Sequence, residues 1–245
     1  MFAAFFAFVF ITTTYAANDL PSYIRLCGRN SPNDVYGQCM KANIDNVKST
    51  ICSKGLPEFN VPPSQPITID KIVIYDTNNL KLSVEDVKLT DFCDFEITSN
   101  NVSSDKLRFE FALKYDRIVM DGTYNFDIQL LVSLANKGLF HVTTNDATAT
   151  MDVELKEVTK NGKTEIYASK VKTKLNIKNF VFEFNDKEDN LAQLHEVLSQ
   201  TINNNSKEII SKLNPSFEQA ISKLLMSVLK KVFYNRFEQL FPNDA

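Results

Sequence analysis

Between Ile67 and Phe184 apolar residues recur at every second position, and on both sides of that stretch they recur at helical spacing. The cleanest alternating row is Tyr124, Phe126, Ile128, Leu130, Val132 and Leu134; a second is Leu107, Phe109, Phe111, Leu113 and Tyr115. Further rows run Val87, Leu89, Cys93, Phe95, Ile97; Ala147, Ala149, Met151, Val153, Leu155; and Val171, Thr173, Leu175, Ile177. Asp, Lys, Glu, Asn and Thr fill the alternate positions. One apolar and one wet face predict antiparallel strands laid over a core. Asn161-Gly162 predicts a hairpin turn, and Asp121-Gly122 a turn or bulge.

The predicted strands are long, about ten to fifteen residues against a usual five or six. Their alternation also slips: Leu80, Leu82 and Val84 give way to Val87 and Leu89, and Ile177 gives way to Phe180, Phe182 and Phe184. A one-residue slip in a long strand predicts a bulge, which bends and twists it. Long, bulged strands with one apolar face make a strongly curved sheet.

The flanking segments supply helices for that sheet to wrap. Val35–Ser53 carries Val35, Met40, Ile44, Val47 and Ile51 on one stripe, with Asp34 placed as N-cap. Gly55-Leu56-Pro57 stops it, and Pro62-Pro63 with Pro66 predicts an extended connector up to Ile67. Near the C-terminus, Asp189 or Asn190 can cap a helix bearing Leu191, Leu194, Leu198, Ile202, Ile209 and Leu213. Asn214-Pro215 is expected to break that helix and start another, whose apolar stripe from Phe217 to Phe237 covers close to half its circumference. Neither a Gly/Ser linker nor an internal repeat is visible, so residues 17–245 read as one domain.

Residues 1–16 stand apart. Phe2 to Ile11 is wholly apolar, and the first charge is Asp19. A run of about ten falls short of the roughly twenty needed to cross a bilayer. It fits the apolar core of a secretory signal, with Thr14-Tyr15-Ala16 before the cut, so the mature protein is expected outside the cell.

Composition removes several function classes. The 27 basic and 30 acidic residues give a net charge of −3 without a basic run, which leaves nucleic acid no electrostatic footprint. The six glycines are never closer than nine positions. Phosphate-binding loops and nucleophile elbows need at least two glycines within about six positions, so none can be written here. With His141 and His195 as the only histidines and no close cysteine pair, neither a metal nor a cofactor is expected.

Cys27 and Cys39 flank a short loop, in a compartment where disulfides persist. Cys52 and Cys93 either pair or sit as buried thiols. Two sequons occur, at Asn101 and Asn204; Asn101, in the polar stretch Ser99–Lys106, is the expected glycosylation site on a loop tip.

Certain residues carry a resemblance. Cys27 and Cys39 before a helix, then Gly55-Leu56-Pro57-Glu58-Phe59, Pro62-Pro63 and Pro66-Ile67, resemble the N-terminal signature of the Takeout / juvenile hormone-binding protein family of insects. Leu213-Asn214-Pro215 and Phe237-Glu238-Gln239-Leu240-Phe241-Pro242 resemble that family's tail. The resemblance implies an α+β, tubular lipid-binding (TULIP-like) fold, in which a curved antiparallel sheet wraps a long helix around an elongated apolar cavity. Carriers of the haemolymph branch are expected to have a second disulfide in the C-terminal half. This chain has no cysteine after Cys93, which places it closer to the Takeout branch.

The function so implied is a secreted, monomeric, non-enzymatic carrier of a hydrophobic small molecule such as a terpenoid hormone or a fatty acid. Candidate wall residues are Phe109, Phe111, Phe126, Ile128, Leu130, Val142, Met151 and Val153 from the sheet, with Leu194, Leu198, Leu224, Leu225 and Val228 from the helices. Tyr124 or Tyr115 could bond a ligand's polar end. Two alternatives are phospholipid transfer at a membrane surface, which the acidic balance disfavours, and a lipid hydrolase. For the hydrolase no nucleophile stands in a recognisable turn, and His195, between Leu194 and Glu196, is expected to be solvated. Stable membrane insertion is not expected, and the sequence names no receptor.

Overall fold

The computed structural model describes residues 20–129, 133–160, 163–185 and 192–244. The expected signal segment, residues 1–16, lies outside them. Helix α1 (Asn33–Ser53) leads through a short 3-10 turn (Pro57–Phe59) into seven antiparallel strands. These are β1 (Ile67–Asp76), β2 (Leu80–Thr90), β3 (Phe95–Val102), β4 (Arg108–Gln129), β5 (Ser133–Lys160), β6 (Lys163–Asn176) and β7 (Asn179–Phe184). Helices α2 (Ala192–Asn204), α3 (Ser206–Phe233) and α4 (Phe237–Leu240) follow. The sheet runs β1-β2-β4-β5-β6, with β3 paired to β4 and β7 to β5. It is curved and remains open.

Several expected boundaries move. The row from Val87 to Ile97 is split between β2 and β3 by a turn in which Asp91 has a φ of 61°. Leu134 belongs to β5, because β4 ends at Gln129 opposite Ser133. Asp121-Gly122 is not a turn: β4 passes through it and stands opposite a bulge of β2, Glu85 pairing with Thr123 and Lys88 with Asp121; the glycine is needed for space, since a Cβ there would meet the Phe140 ring at 2.9 Å and the Glu85 carbonyl at 3.0 Å. Gly55 is needed for another reason, with a φ of 74° and the Val61 carbonyl 2.2 Å from any added Cβ. The expected hairpin joins β5 to β6 with Lys160 opposite Lys163, while Asn161 and Gly162 lie outside the described residues. Helix α1 starts at Asn33 after Pro32, so Asp34 is a first-turn acid and not the cap.

The first phase slip is a bulge: β2 shifts register against β4 between Glu85 and Lys88, where Asp86 takes a φ of 51°. The second is a different device. On β4 the buried positions change from Phe109, Phe111, Leu113 and Tyr115 to Ile118 and Met120; on β5 they change from Phe140, Val142 and Thr144 to Ala147 and Ala149. Ile177 and Phe180 slip likewise between β6 and β7. Register is nonetheless kept, from Tyr115↔Ala147 to Arg117↔Asn145 and from Thr148↔Asn176 to Asn145↔Asn179. Asp116, Asp146 and Lys178 therefore fall on one line across β4, β5 and the link between β6 and β7. Asp146 has a φ of 57°, and Lys178 Nζ bonds its carboxylate at 2.8 Å. This crease inverts which residues face inward without adding one, dividing the sheet into two halves.

Helix α3 is one element of 28 residues that contains Pro215; the expected break at Asn214-Pro215 occurs instead at Asn205, between α2 and α3. Asn214 does not cap a helix but donates its side-chain amide to the Leu175 carbonyl at 3.2 Å. Further along, Glu218 accepts from the Leu175 N–H at 2.9 Å and Ser222 from the Thr173 N–H at 3.0 Å; on α2, Asn203 accepts from the Phe182 N–H at 3.1 Å. Side chains of α2 and α3 thus satisfy backbone groups that the edge formed by β6 and β7 would otherwise leave open.

Disulfides join Cys27 to Cys39 and Cys52 to Cys93. The C-terminal segment closes on the N-terminal one through Arg29 N–H to the Pro242 carbonyl at 2.8 Å. Among the described residues no helix is long and apolar enough to cross a membrane.

Candidate functional site: two apolar pockets under the sheet

The crease separates two interior spaces. The larger, of 410 Å³, lies under the half formed by β1, β2, β7 and the adjoining ends of β4 and β5, and is closed from below by α2 and the first turns of α3. The smaller, of 180 Å³, lies under the other half, between Phe109, Phe111, Val153 and Leu155 on the sheet and α1, the end of α3 and α4. Leu113, Tyr115, Ala147, Ala149 and Phe217 are buried but line neither space. Among the described residues, the apolar space under the sheet is thus two separate pockets, where one elongated cavity was expected.

The large pocket takes its walls from the inverted register. Met120, Tyr124, Phe126 and Ile128 come from β4, Phe140 and Val142 from β5, and Phe180, Phe182 and Phe184 from β7. Ile74, Leu80, Leu82 and Val84 come from β1 and β2, and Leu198, Ile202, Ile209 and Leu213 from the helices. The aromatic rings support one another: Phe140 stacks on Phe182 at 5.5 Å, and Tyr124 meets Phe184 edge-on at 4.8 Å. Such an ordered wall keeps its shape around a space of this size, which falls in the roughly 300–1,000 Å³ range of ligand pockets.

Polar atoms are few and grouped. Deep in the wall, Tyr124 Oη lies 3.2 Å from His195 Nε2, and the imidazole stacks on Phe184 at 4.5 Å. The expectation of a solvated His195 is corrected here: α2 turns it inward, and it is 8% exposed. Towards solvent, Tyr75, Thr201, Asn205 and Glu208 also line the pocket. Tyr75 Oη donates to Glu208 at 2.8 Å; partial burial and that carboxylate together raise the phenol's pKa. Lys212 Nζ sits 4.2 Å from the centre of the Tyr75 ring and 3.8 Å from Glu208.

The candidate residues divide accordingly. Tyr124, Phe126, Ile128, Val142 and Leu198 line the large pocket; Phe109, Phe111, Val153 and Val228 line the small one. Met151, Leu224 and Leu225 line neither; Leu224 instead borders a surface groove beside β1, where the wide stripe of α3 turns away from the interior. Leu130 and the side chain of Leu194 lie outside the described residues. Tyr115 is packed against Phe95, and burial raises its phenol far out of the titrating range. Asn101 is exposed but stands in β3 opposite Glu110, so the sequon is on an edge strand and not a loop tip.

Sequence reasoning missed the share of β1, β2 and β7, although the alternation of Phe180, Phe182 and Phe184 carried the signal. It also missed Glu208 and Tyr75, since nothing in the spacing joins positions so far apart in the chain. Among the described residues no group of His, Cys, Asp or Glu is placed to hold a metal.

Residues 4–242 match the model of the haemolymph juvenile hormone binding protein (JHBP) family. The structure resembles the crystal structure of Epiphyas postvittana Takeout 1, with a TM-score of 0.68 and 14% sequence identity over 86% of this chain and 95% of that one. A lipopolysaccharide binding protein aligns over 78% of this chain and 38% of its own at 13% identity, with a TM-score of 0.37, too distant to define the fold. No curated protein sequence matches the chain.

Proposed function

The chain belongs to the haemolymph juvenile hormone binding protein family, and from that membership we propose that it is a secreted carrier which holds one hydrophobic small molecule in the pocket between β4, β7 and α2. The observation that carries the reading is the 410 Å³ space walled by aromatic and aliphatic side chains, with its polar atoms confined to two places. A space lined this way is costly to fill with water and favourable to fill with hydrocarbon.

Energetics make the task feasible without a charged handle. A ligand burying about fifteen carbons gains roughly 12 kcal/mol at about 0.8 per methylene. Association costs of about 4–15 kcal/mol offset much of this; at the low end about 8 kcal/mol remains, which corresponds to about micromolar affinity. The two disulfides suit an oxidising compartment, and the apolar run of residues 2–11 suits export into it. In this reading no bond is made or broken; the protein only exchanges water contacts for wall contacts. The small pocket, walled by Phe109 and Phe111, lies at the opposite end.

The test is organic extraction of the protein purified from its native medium, followed by mass spectrometry. One apolar compound near one equivalent per chain is expected. Extracts indistinguishable from buffer, together with no uptake of an uncharged fluorescent apolar probe, would remove the reading.

A further inference from the structure

The large pocket holds a single formal charge at its rim. Among the described residues that line it, Glu208 is the one ionisable side chain other than the two tyrosines; no Lys, Arg or His faces the space. His195 does not line the pocket; it stands behind the wall, against Tyr124 and Phe184. Lys212 stands one turn along α3, with its ammonium over the Tyr75 ring and 3.8 Å from Glu208, and does not line the pocket.

From this arrangement we propose that Glu208 is a specificity-determining residue that selects uncharged ligands ending in a hydroxyl or similar donor and rejects those ending in a carboxylate. The proposal rests on the carrier reading and names the ligand class for the same pocket.

The physical case is one of sign. A long-chain acid whose tail fills the apolar part brings its ionised head to the rim, where Asn205, Thr201, Tyr75 and Glu208 stand. The rim is partly solvated, with 56% of the Glu208 side chain exposed, but the head meets a like charge there, which opposes ionised binding. The Lys212 ammonium is already engaged by Glu208 and the Tyr75 ring. An alcohol of equal length avoids that repulsion. Its hydroxyl donates to the Glu208 carboxylate, a charge-assisted bond stronger than a neutral one. Tyr75, donating to Glu208 at 2.8 Å from the opposite strand, holds the carboxylate at the rim. Placing a like charge against the unwanted ligand is a recognised means of specificity, alongside attractive contacts to the wanted one.

The experiment is competitive displacement of an uncharged fluorescent apolar probe from the full mature chain at pH 8, using tetradecan-1-ol and tetradecanoate as matched competitors. With the wild-type protein the alcohol is expected to compete at least about tenfold better, equivalent to about 1.4 kcal/mol. Glu208→Gln keeps the shape and can still accept from Tyr75. It is expected to bring the two competitors within about threefold of each other, mainly by strengthening the acid. Lys212→Met, which leaves Glu208 in place, is expected to keep or widen the preference. Equal competition in the wild type, or an unchanged ratio in a folded Glu208→Gln protein, overturns the proposal while the carrier reading stands. A wild-type protein that takes up no probe overturns the carrier reading and this inference with it.

Discussion

Tyr124 on β4 and His195 on α2 meet inside the protein, hydroxyl to imidazole at 3.2 Å, with Phe184 of β7 stacked on the imidazole face. Three elements distant in sequence are tied at one point, which fixes α2 as a wall of the large pocket. A double-mutant cycle with Tyr124→Phe and His195→Phe is expected to give a coupling of about 1 kcal/mol in urea unfolding, the net worth of a buried hydrogen bond. A coupling near zero would mean that the two groups do not act together.

Phe126 is 4% exposed and forms part of the wall, stacked on Tyr124 with ring centres 5.9 Å apart. Phe126→Ala is expected to weaken probe binding by at least about tenfold, or about 1.4 kcal/mol, with a smaller proportional effect on thermal stability because the site already borders space. Unchanged affinity with a lowered melting temperature would make Phe126 a packing residue only.

Gly122 carries a specific steric demand. Its α-carbon passes under the Phe140 ring and beside the Glu85 carbonyl, at 2.9 and 3.0 Å from the position of an added Cβ. Gly122→Ala is expected to cost about 1–3 kcal/mol as overpacking, read from the urea midpoint. A neutral substitution would show that β2, β4 and β5 can part there without penalty.

The disulfides differ in the loops they close, with sequence separations of 12 for Cys27–Cys39 and 41 for Cys52–Cys93. On the chain-entropy account these constrain the unfolded chain by about 3 and about 4 kcal/mol respectively. Paired Cys→Ser replacements measured in parallel are therefore expected to show the greater loss for Cys52–Cys93. The reverse order would place the main contribution in native contacts.

At the crease, the Lys178 ammonium holds the Asp146 carboxyl below its ordinary value, and the Lys114 charge adds to this. A carboxyl lowered in the folded state binds protons more readily when unfolded. Its contribution is therefore complete above the unfolded value of about 3.9 and is lost as pH falls through the lower folded value. Lys178→Gln is expected to lower the urea midpoint at pH 7 in dilute salt and to leave it unchanged near pH 2. A shift of equal size at both values would assign the effect to something other than this pair.

Much of the architecture was legible because a half-buried strand writes its inward face into every second residue. The rows through Phe109 and Phe126, the bulge at Asp86 and the long terminal stripe all follow from that rule. What local pattern could not convey is how strands align. The slip between Ile177 and Phe180 looked like one strand's bulge, whereas it is a third of a crease that also runs through Asp116 and Asp146, visible only once register is known. Asn214-Pro215 read as a helix start because cap and proline chemistry is local; tertiary contact kept α3 continuous and turned Asn214 towards Leu175 instead. For the site, apolar candidates were found wherever the inward row is regular, but assigning them to one pocket or the other required the crease. Tyr75 and Glu208 are 133 positions apart, and no spacing rule joins them.

The central claim is that the space under β4, β7 and α2 receives the cargo. Its most direct test is the stoichiometry of apolar probe uptake by the wild type and by Leu198→Phe, which adds ring volume from α2 to the large pocket and leaves the small one untouched. One probe per wild-type chain, and uptake reduced at least about tenfold (about 1.4 kcal/mol) in a variant that melts within a few degrees of it, is the result expected. Undiminished uptake by the folded variant would contradict the assignment.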